Sequence, residues 1–223
     1  MTRTFAPEEY YHLYNRGADK RHIFLDKADY ARFMTLLFLC NSGIPIHRSD
    51  IGKNAAKTIF TREKETTLVA IGAYCLMPNH FHILLREQSD GGISMFMQKL
   101  STAYVMYFNK RYNRRGTLFE GRFKSKHVSS DEYLKYLFAY IHLNPIGIIE
   151  KDWKEHRIGN RKKAEDFLGT FKYSSYLDYE NSENKRPEHA IINKIAFPQY
   201  FEKSTDFSDY LKDWMDNESV ESS

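Results

Sequence analysis

Two apolar runs with only two residues between them constrain this chain more than any other feature. Residues 68–77 (LVAIGAYCLM) carry no charge, Pro78-Asn79 interrupts them, and HFHILLRE resumes at once. A gap that short has no room for a crossover helix, so the runs must be neighbouring antiparallel strands. The first run is apolar throughout rather than alternating, which is the pattern of a strand covered on both faces. Layers on either side must therefore come from the rest of the chain.

The flanking sequence offers those layers. Residues 10–15 form a short aromatic strand pattern ending at Arg16-Gly17. Asp26 is an N-cap signal ahead of Tyr30, Phe33, Met34, Leu37 and Phe38 at helical spacing, and the pattern stops near Asn41-Ser42-Gly43. Residues 44–66 are polar and aperiodic and are expected to be a surface insertion. After the hairpin, Gly91-Gly92 opens a helix with Ile93, Phe96, Met97, Leu100, Tyr104 and Phe108 on one side, reaching about Tyr112. A further strand is expected over 119–128. Ser129-Ser130-Asp131 then starts a helix over 132–143, which ends before Asn144-Pro145. The order β-α-β-β-α-β plus one helix is that of a ferredoxin-like or RRM-like α+β sandwich: an antiparallel sheet with helices on one face and an added helix. The reading divides the chain into a domain over 1–149 and an extension over 150–223, acidic and partly disordered at its end.

A chain of 223 residues buries a core without staples. Its two cysteines, Cys40 and Cys75, supply neither a disulfide framework nor a structural zinc site, and their apolar surroundings mark them as buried small hydrophobes. The N-terminus lacks the apolar core of a secretory signal, and no apolar run approaches the ~20 residues that span a bilayer. The expectation is a soluble, cytoplasmic protein with no membrane partner.

Charge is informative locally. The net charge is only +4, but residues 99–127 hold eight Lys or Arg against the single acid Glu120, and residues 199–223 hold seven acids against two Lys. The basic stretch is interleaved with Tyr104, Tyr107, Phe108, Tyr112, Phe119 and Phe123, a composition suited to a nucleic-acid backbone and stacked bases. Arg114, Arg115, Arg122, Lys124 and Lys126 are the candidate DNA contacts; a solvated helix face is the bland alternative.

Two clusters suggest chemistry. His80 and His82 flank Phe81 on the second strand of the hairpin, so alternation puts both imidazoles on one face about 6–7 Å apart, close enough to share a metal ion. The alternative is a pair that only satisfies hydrogen bonds. On the last helix, Tyr133, Tyr136, Tyr140 and Asn144 share one face, while Leu134, Leu137, Phe138 and Ile141 form the face suited to docking on the sheet. A Tyr and an Asn four apart offer a nucleophile and an oxygen ligand to one ion, leaving positions open for phosphate and water. His142 lies roughly 200° round the helix from Tyr140 and is a poor candidate for that ion.

The segments YCLMPNHFHILL, GTLFEGRFKS and YLFAYIHLNPI, in this order and spacing, resemble the single-tyrosine HUH transposases, IS200-like enzymes, and most closely their REP-associated tyrosine transposase branch. In that family the motif is His, a bulky hydrophobe, His; here it is His80-Phe81-His82. The resemblance covers about residues 10–148, with an echo at Tyr173-Ser174-Ser175-Tyr176. It implies cleavage and rejoining of single-stranded DNA, at hairpin or repeat sequences, through a 5′-phosphotyrosine intermediate. By position it implies Tyr140 as nucleophile and His80, His82 and Asn144 as ligands of Mg²⁺ or Mn²⁺. Tyr133 and Tyr136 are rivals without an amide at the fourth residue onward. Many relatives carry Trp where this chain has Phe119 and Tyr173. The better-known insertion-sequence enzymes use Gln rather than Asn and share sites across a dimer, so Asn144 favours the REP-associated branch, with a monomer or homodimer both open. Two other classes of function stay open beside this one. A non-catalytic RRM-like module, or a domesticated regulator, explains the aromatics and the basic stretch equally well. A metal-dependent hydrolase would use the same ligands but be indifferent to Tyr140.

Overall fold

The computed structural model describes residues 5–45, 58–64, 66–155, 158–181, 185–201 and 203–217. Strands β1 (Tyr10–Arg16), β2 (Val69–Met77), β3 (His80–Glu87) and β4 (Lys124–His127) form one antiparallel sheet in the order β2-β3-β1-β4. This is the ferredoxin-like order that the element sequence predicts. The hairpin is as tight as its sequence demands, with Met77 paired to His80 across Pro78-Asn79.

Residues opposite one another on neighbouring strands share a face, and the register therefore sorts the side chains. One cross-sheet row runs Cys75, His82, Tyr14, Lys124, and the next runs Ala73, Leu84, His12, Lys126. The opposite face carries Leu76, Phe81 and Asn15, then Tyr74, Ile83 and Leu13. That second face is covered by α1 (Lys27–Leu39) and α2 (Gly92–Arg111). Phe33 of α1 meets Phe81 at 5.1 Å and Tyr104 of α2 at 4.9 Å between ring centroids. The first face is covered by α3 (Asp131–Leu143), which buries Leu134, Leu137, Phe138 and Ile141 as its apolar stripe predicts. Cys40 and Cys75 are both free and buried.

Asp26 caps α1 as expected, accepting from the backbone N–H groups of Ala28 at 2.9 Å and Asp29 at 3.2 Å. Asp29 itself is fully buried and ties α1 to α2. One carboxylate oxygen accepts from the Leu25 N–H and the Tyr112 hydroxyl, both at 2.8 Å; the other accepts from the Tyr107 hydroxyl and Arg111, both at 3.0 Å. Arg111, counted among the basic stretch, thus serves packing: it also pairs with Asp26 at 2.5 Å.

The strand expected over 119–128 is shorter than its aromatic pattern implies. Only Lys124–His127 pairs as a strand, with an isolated bridge between Gly17 and Phe119 ahead of it. The intervening backbone turns so that Glu120 N–H reaches the Arg16 carbonyl at 2.9 Å, and two edge-strand Lys then face solvent.

The expected surface insertion lies mostly outside the described residues, but its end does not behave as surface. Ile59 is fully buried and Phe60 packs edge-on against Phe38 at 5.5 Å. Beyond the domain boundary expected near residue 149 come α4 (Arg161–Thr170), α5 (Tyr176–Glu180) and α6 (Ser204–Asn217). This segment closes the free edge of β2: Leu76 N–H donates to the Tyr173 carbonyl and Ser175 N–H to that of Tyr74, both at 2.9 Å, and Asn193 N–H reaches the Ile71 carbonyl at 2.8 Å. All nine β2 residues are buried because faces and edge alike are covered. Gly72 sits at a register shift in β2, where a Cβ would lie 2.6 Å from the Phe197 ring; only glycine admits that aromatic. The last residues of the acidic tail, expected to be disordered, lie outside the described residues.

Candidate active site

Strand alternation decides the first half of the site. Phe81 enters the α1 layer, leaving His80 and His82 together on the α3 face with ring centroids 5.0 Å apart. A third imidazole joins them. His12, on the adjacent strand, places Nε2 2.9 Å from His82 Nδ1, with the two rings stacked at 5.0 Å. Sequence reasoning missed His12. The available signal was its place in β1, alternating with Leu13 and sharing a face with Tyr14, but only the β1–β3 register shows that this face is also that of His82.

His80 Nδ1 stands 2.7 Å from the Asn79 side-chain oxygen. A carboxamide oxygen accepts only, so Nδ1 carries the hydrogen and Nε2 keeps its lone pair. Burial pushes His80 and His12 down to about 4; Lys154 adds to this at His80, and Lys126 then Lys154 at His12. His82 is held well below its usual range by burial first, then by His12 and His80. All three rings are therefore neutral at pH 7, the form that ligates metals.

Helix α3 supplies the second half. Ser130 caps it, its hydroxyl accepting from the Tyr133 N–H at 3.1 Å. Tyr133, Tyr136 and Tyr140 stack along its outer face with successive centroids 5.8 Å apart. Tyr136 meets Trp214 of α6 at 5.4 Å, whereas Tyr140 stands edge-on to His82 at 5.4 Å and to His12 at 6.0 Å. Lys154 Nζ donates to the Tyr140 hydroxyl at 3.0 Å. Asn144 caps the helix, is buried, and its carboxamide acts on the ionisation of His80 as a hydrogen-bond partner. His142 points elsewhere, with Nδ1 against the Phe138 carbonyl at 2.8 Å and Nε2 against Ser175 Oγ at 2.7 Å. It is a core histidine, as its helical angle predicts.

A cavity of about 380 Å³ opens on these groups. Its lining includes Tyr14, Asn79, His80, His82 and Tyr140, and of the three stacked phenols Tyr140 alone reaches it. Asn15, Arg16, Lys20, Lys124 and Glu120 complete its wall; Arg16 holds Glu120 through two contacts of 2.5 and 2.8 Å. The candidate DNA contacts divide. Lys124 lines the cavity, Lys126 stands 4.7 Å over the Tyr133 ring, and Arg122 is exposed just ahead of β4. Arg115 is exposed beyond the end of α2, and Arg114 folds back over Phe108 of that helix at 5.7 Å, in the layer opposite α3. A larger cavity, about 550 Å³, lies beside the far end of β2 and is lined by none of the residues singled out from the sequence as site candidates.

Among the described residues no group of three or more His, Cys, Asp or Glu is arranged to hold a metal. His80 and His82 line this cavity, whereas Asn144 is buried beside His80 outside its lining; these two imidazoles and the amide fit a divalent ion on two counts. Asn79 and His12 engage the Nδ1 atoms of His80 and His82, the outer partners that orient a ligating imidazole by its other nitrogen. The buried Asn144 Nδ2 has no hydrogen-bond partner among the described residues. The carboxamide oxygen is then the end that meets His80, where it can serve as a ligand beside the ring.

The sheet order and the added helix define an α+β sandwich of the ferredoxin-like kind. The profile of the family described as "Transposase IS200 like" matches residues 34–144, and the chain belongs to that family. Its function is accordingly of the transposase type. Among solved structures the chain is similar to a REP-associated tyrosine transposase bound to a REP hairpin, with TM-score 0.50 and 11% identity over 84% of this chain and 88% of that one. At that identity the likeness speaks to the fold. A tRNA(His) guanylyltransferase from Saccharomyces cerevisiae overlaps 89% of this chain and 85% of its own at 12% identity, with a TM-score of 0.38. No curated protein matches the chain. No described helix is long and apolar enough to cross a membrane. The family match begins after His12 and ends at Asn144, so neither His12 nor Lys154 is covered by it.

Proposed function

We propose that this protein cleaves and rejoins single-stranded DNA, with the Tyr140 hydroxyl as nucleophile. One observation carries the reading: Tyr140 is the phenol of the stripe that reaches the cavity holding His80 and His82. In cleavage, Tyr140 Oη bonds to phosphorus as the bond to the 3′ oxygen breaks, leaving a 5′-phosphotyrosine and a 3′-hydroxyl. The phenol proton is released and the 3′ oxygen takes one up; rejoining is the reverse. An ordinary phenol titrates near ~10, so the attack needs help with developing charge.

His80, His82 and Asn144 are the residues that would hold Mg²⁺ or Mn²⁺. Such an ion, when bound, polarises the phosphate and offsets its charge. The protein's own contribution is positional. Burial keeps the imidazoles neutral, Asn79 and His12 fix their ring orientation, and stacking on Tyr136 fixes the Tyr140 ring. Lys124, Arg16 and Lys20 at the cavity, with Lys126 and Arg122 along β4, form a track for the sugar-phosphate backbone, and Arg114 and Arg115 are more remote contacts. The REP hairpin on the structurally similar transposase supports a hairpin-bearing DNA as partner, and with it the REP-associated branch. Every proposed donor comes from one chain, which suits a monomer or a homodimer with a complete site in each copy.

The test is a covalent protein–DNA adduct on a denaturing gel after incubation with hairpin-bearing single-stranded oligonucleotides and Mn²⁺. The wild type is expected to form it and Tyr140→Phe is not. Cleavage without an adduct would indicate attack by water, and binding without cleavage a non-catalytic module. An adduct that persists in Tyr140→Phe but is lost in Tyr136→Phe would move the nucleophile one turn back.

A further inference from the structure

We propose that Lys154 is a positioning residue for Tyr140: its ammonium group holds the phenol oxygen in place and carries a fixed positive charge beside it. This rests on the reading of Tyr140 as nucleophile. It extends that reading to a residue ten positions beyond the end of the family match.

The contact has two parts. Lys154 Nζ donates to Tyr140 Oη at 3.0 Å and lies 4.3 Å from the centroid of the same ring. An ammonium has three donors and no acceptor, whereas a phenol oxygen has one hydrogen and two lone pairs. The contact therefore occupies one lone pair, leaves the other for phosphorus, and leaves the phenol proton free to depart. The charge also faces the ring, where a cation is favourable in its own right. Among the described residues no carboxylate pairs with Lys154. Its charge is thus not neutralised by any of them.

The loop that carries Lys154 is anchored for the purpose. Trp153 is buried, with Nε1 3.3 Å from where a Cβ of Gly147 would stand. Gly147 belongs to the short 3-10 helix Asn144–Ile148 that continues α3, so one buried indole fastens the Lys154 loop to the end of the helix bearing Tyr140. The side chain then has only a short distance to span, and its charge is preorganised rather than recruited during the reaction. The same charge serves both directions. In cleavage it favours the phenolate character of Oη as its proton leaves. In rejoining it favours departure of Oη when the bond from phosphorus to Tyr140 breaks and the 3′ oxygen bonds to phosphorus in its place.

The experiment compares the wild type with Lys154→Met, which removes the charge at nearly constant length, and Lys154→Arg, which restores a charged donor. Lys151→Met, an exposed neighbour on the same loop, is the control. The first readout needs no DNA: the NMR signal of ring-labelled tyrosine, assigned to Tyr140 by its loss in Tyr140→Phe, recorded at one pH. It is expected to shift in Lys154→Met, to return toward the wild-type position in Lys154→Arg, and to stay put in Lys151→Met. The second is the rate of adduct formation on hairpin oligonucleotides. We expect a fall of about tenfold or more in Lys154→Met, recovery in Lys154→Arg, and unchanged oligonucleotide affinity in both. An unmoved Tyr140 signal, or full-rate adduct formation in Lys154→Met, overturns the proposal while leaving the Tyr140 reading intact. An adduct that survives Tyr140→Phe overturns the nucleophile instead, and the NMR comparison still reports whether Lys154 holds the phenol.

Discussion

Two polar clusters are built into the opposite layers of this sheet, and they are finished very differently. Around Asp29, between α1 and α2, each carboxylate oxygen accepts two hydrogen bonds and the charge is matched by Arg111. Around Tyr140, between the sheet and α3, three neutral imidazoles face a phenol and an ammonium. Among the described residues that ammonium has no carboxylate partner, and the buried Asn144 amide nitrogen has no acceptor. The first cluster has saturated its valences and holds two helices together. The second has left lone pairs facing a cavity and a positive charge against the Tyr140 phenol, at an energetic disadvantage that burial of polar groups normally forbids. The lesson is to look for what a polar cluster leaves undone. Both contain tyrosines beside charged groups, and only the accounting of partners separates packing from chemistry.

That contrast breaks most sharply at Tyr140. Tyr140→Phe removes one oxygen and is expected to abolish the adduct, a loss of about 10³-fold or more, with a thermal midpoint close to that of the wild type. His80→Ala is expected to eliminate cleavage as well while preserving single-stranded DNA binding, measured by fluorescence anisotropy. Metal-dependent cleavage persisting in a His80→Ala, His82→Ala double variant would refute the ligand assignment.

The Asp29 cluster should show the reverse signature. Asp29→Ala leaves Arg111 and two phenols without their common acceptor, and breaking such a buried pair costs about 3–5 kcal/mol. Urea unfolding should show that loss, while the NMR signal of Tyr140 in the folded protein stays in place. A variant of undiminished stability would mean that the cluster is not the structural tie described above.

His12 refines the comparison, because it belongs to the open cluster but serves by orientation. His12→Phe keeps a ring in the stack and removes the nitrogen beside His82 Nδ1. Mn²⁺ affinity, by titration calorimetry, should weaken about tenfold to a hundredfold without loss of stability. Unchanged affinity would assign His12 to packing alone.

The smallest effect concerns the two groups of cations. Alanine at Arg122, Lys124 and Lys126 together should flatten the logarithmic salt dependence of oligonucleotide binding by about 2, at ~0.7 for each phosphate that is no longer neutralised. Alanine at Arg114 and Arg115, on the opposite layer, should flatten it less. Equal changes would mean that the DNA track crosses both layers.

Much of this was legible in the chain because it depends on local rules. The two-residue gap at Pro78-Asn79 forces a hairpin, period-two alternation puts His80 and His82 on one face, and the spacing of Tyr140 and Asn144 puts them on one side of a helix. The His-Phe-His motif in this order of elements was enough to suggest the family, and the apolar stripe of α3 told which side docks. The short strand β4 was less legible. Its aromatic approach at Phe119 and Phe123 reads as strand, yet those rings pack from turns, and pairing is confined to the four residues Lys124–His127 that the edge of β1 accommodates.

What the tertiary structure alone decided is which distant residues complete the site. His12 and His82 are seventy positions apart and meet because β1 pairs with β3 in one register. Arg111 is one of eight basic residues in 99–127, and only Asp26 and Asp29 at the start of α1 commit it to packing; Lys154, which nothing in the sequence singles out, meets Tyr140 on a loop that Trp153 seats against Gly147. Sequence carries the identity of a side chain and its phase within one element. The partner that gives a buried polar group its role comes from another element, and strand register and layer packing alone bring the two within hydrogen-bond reach.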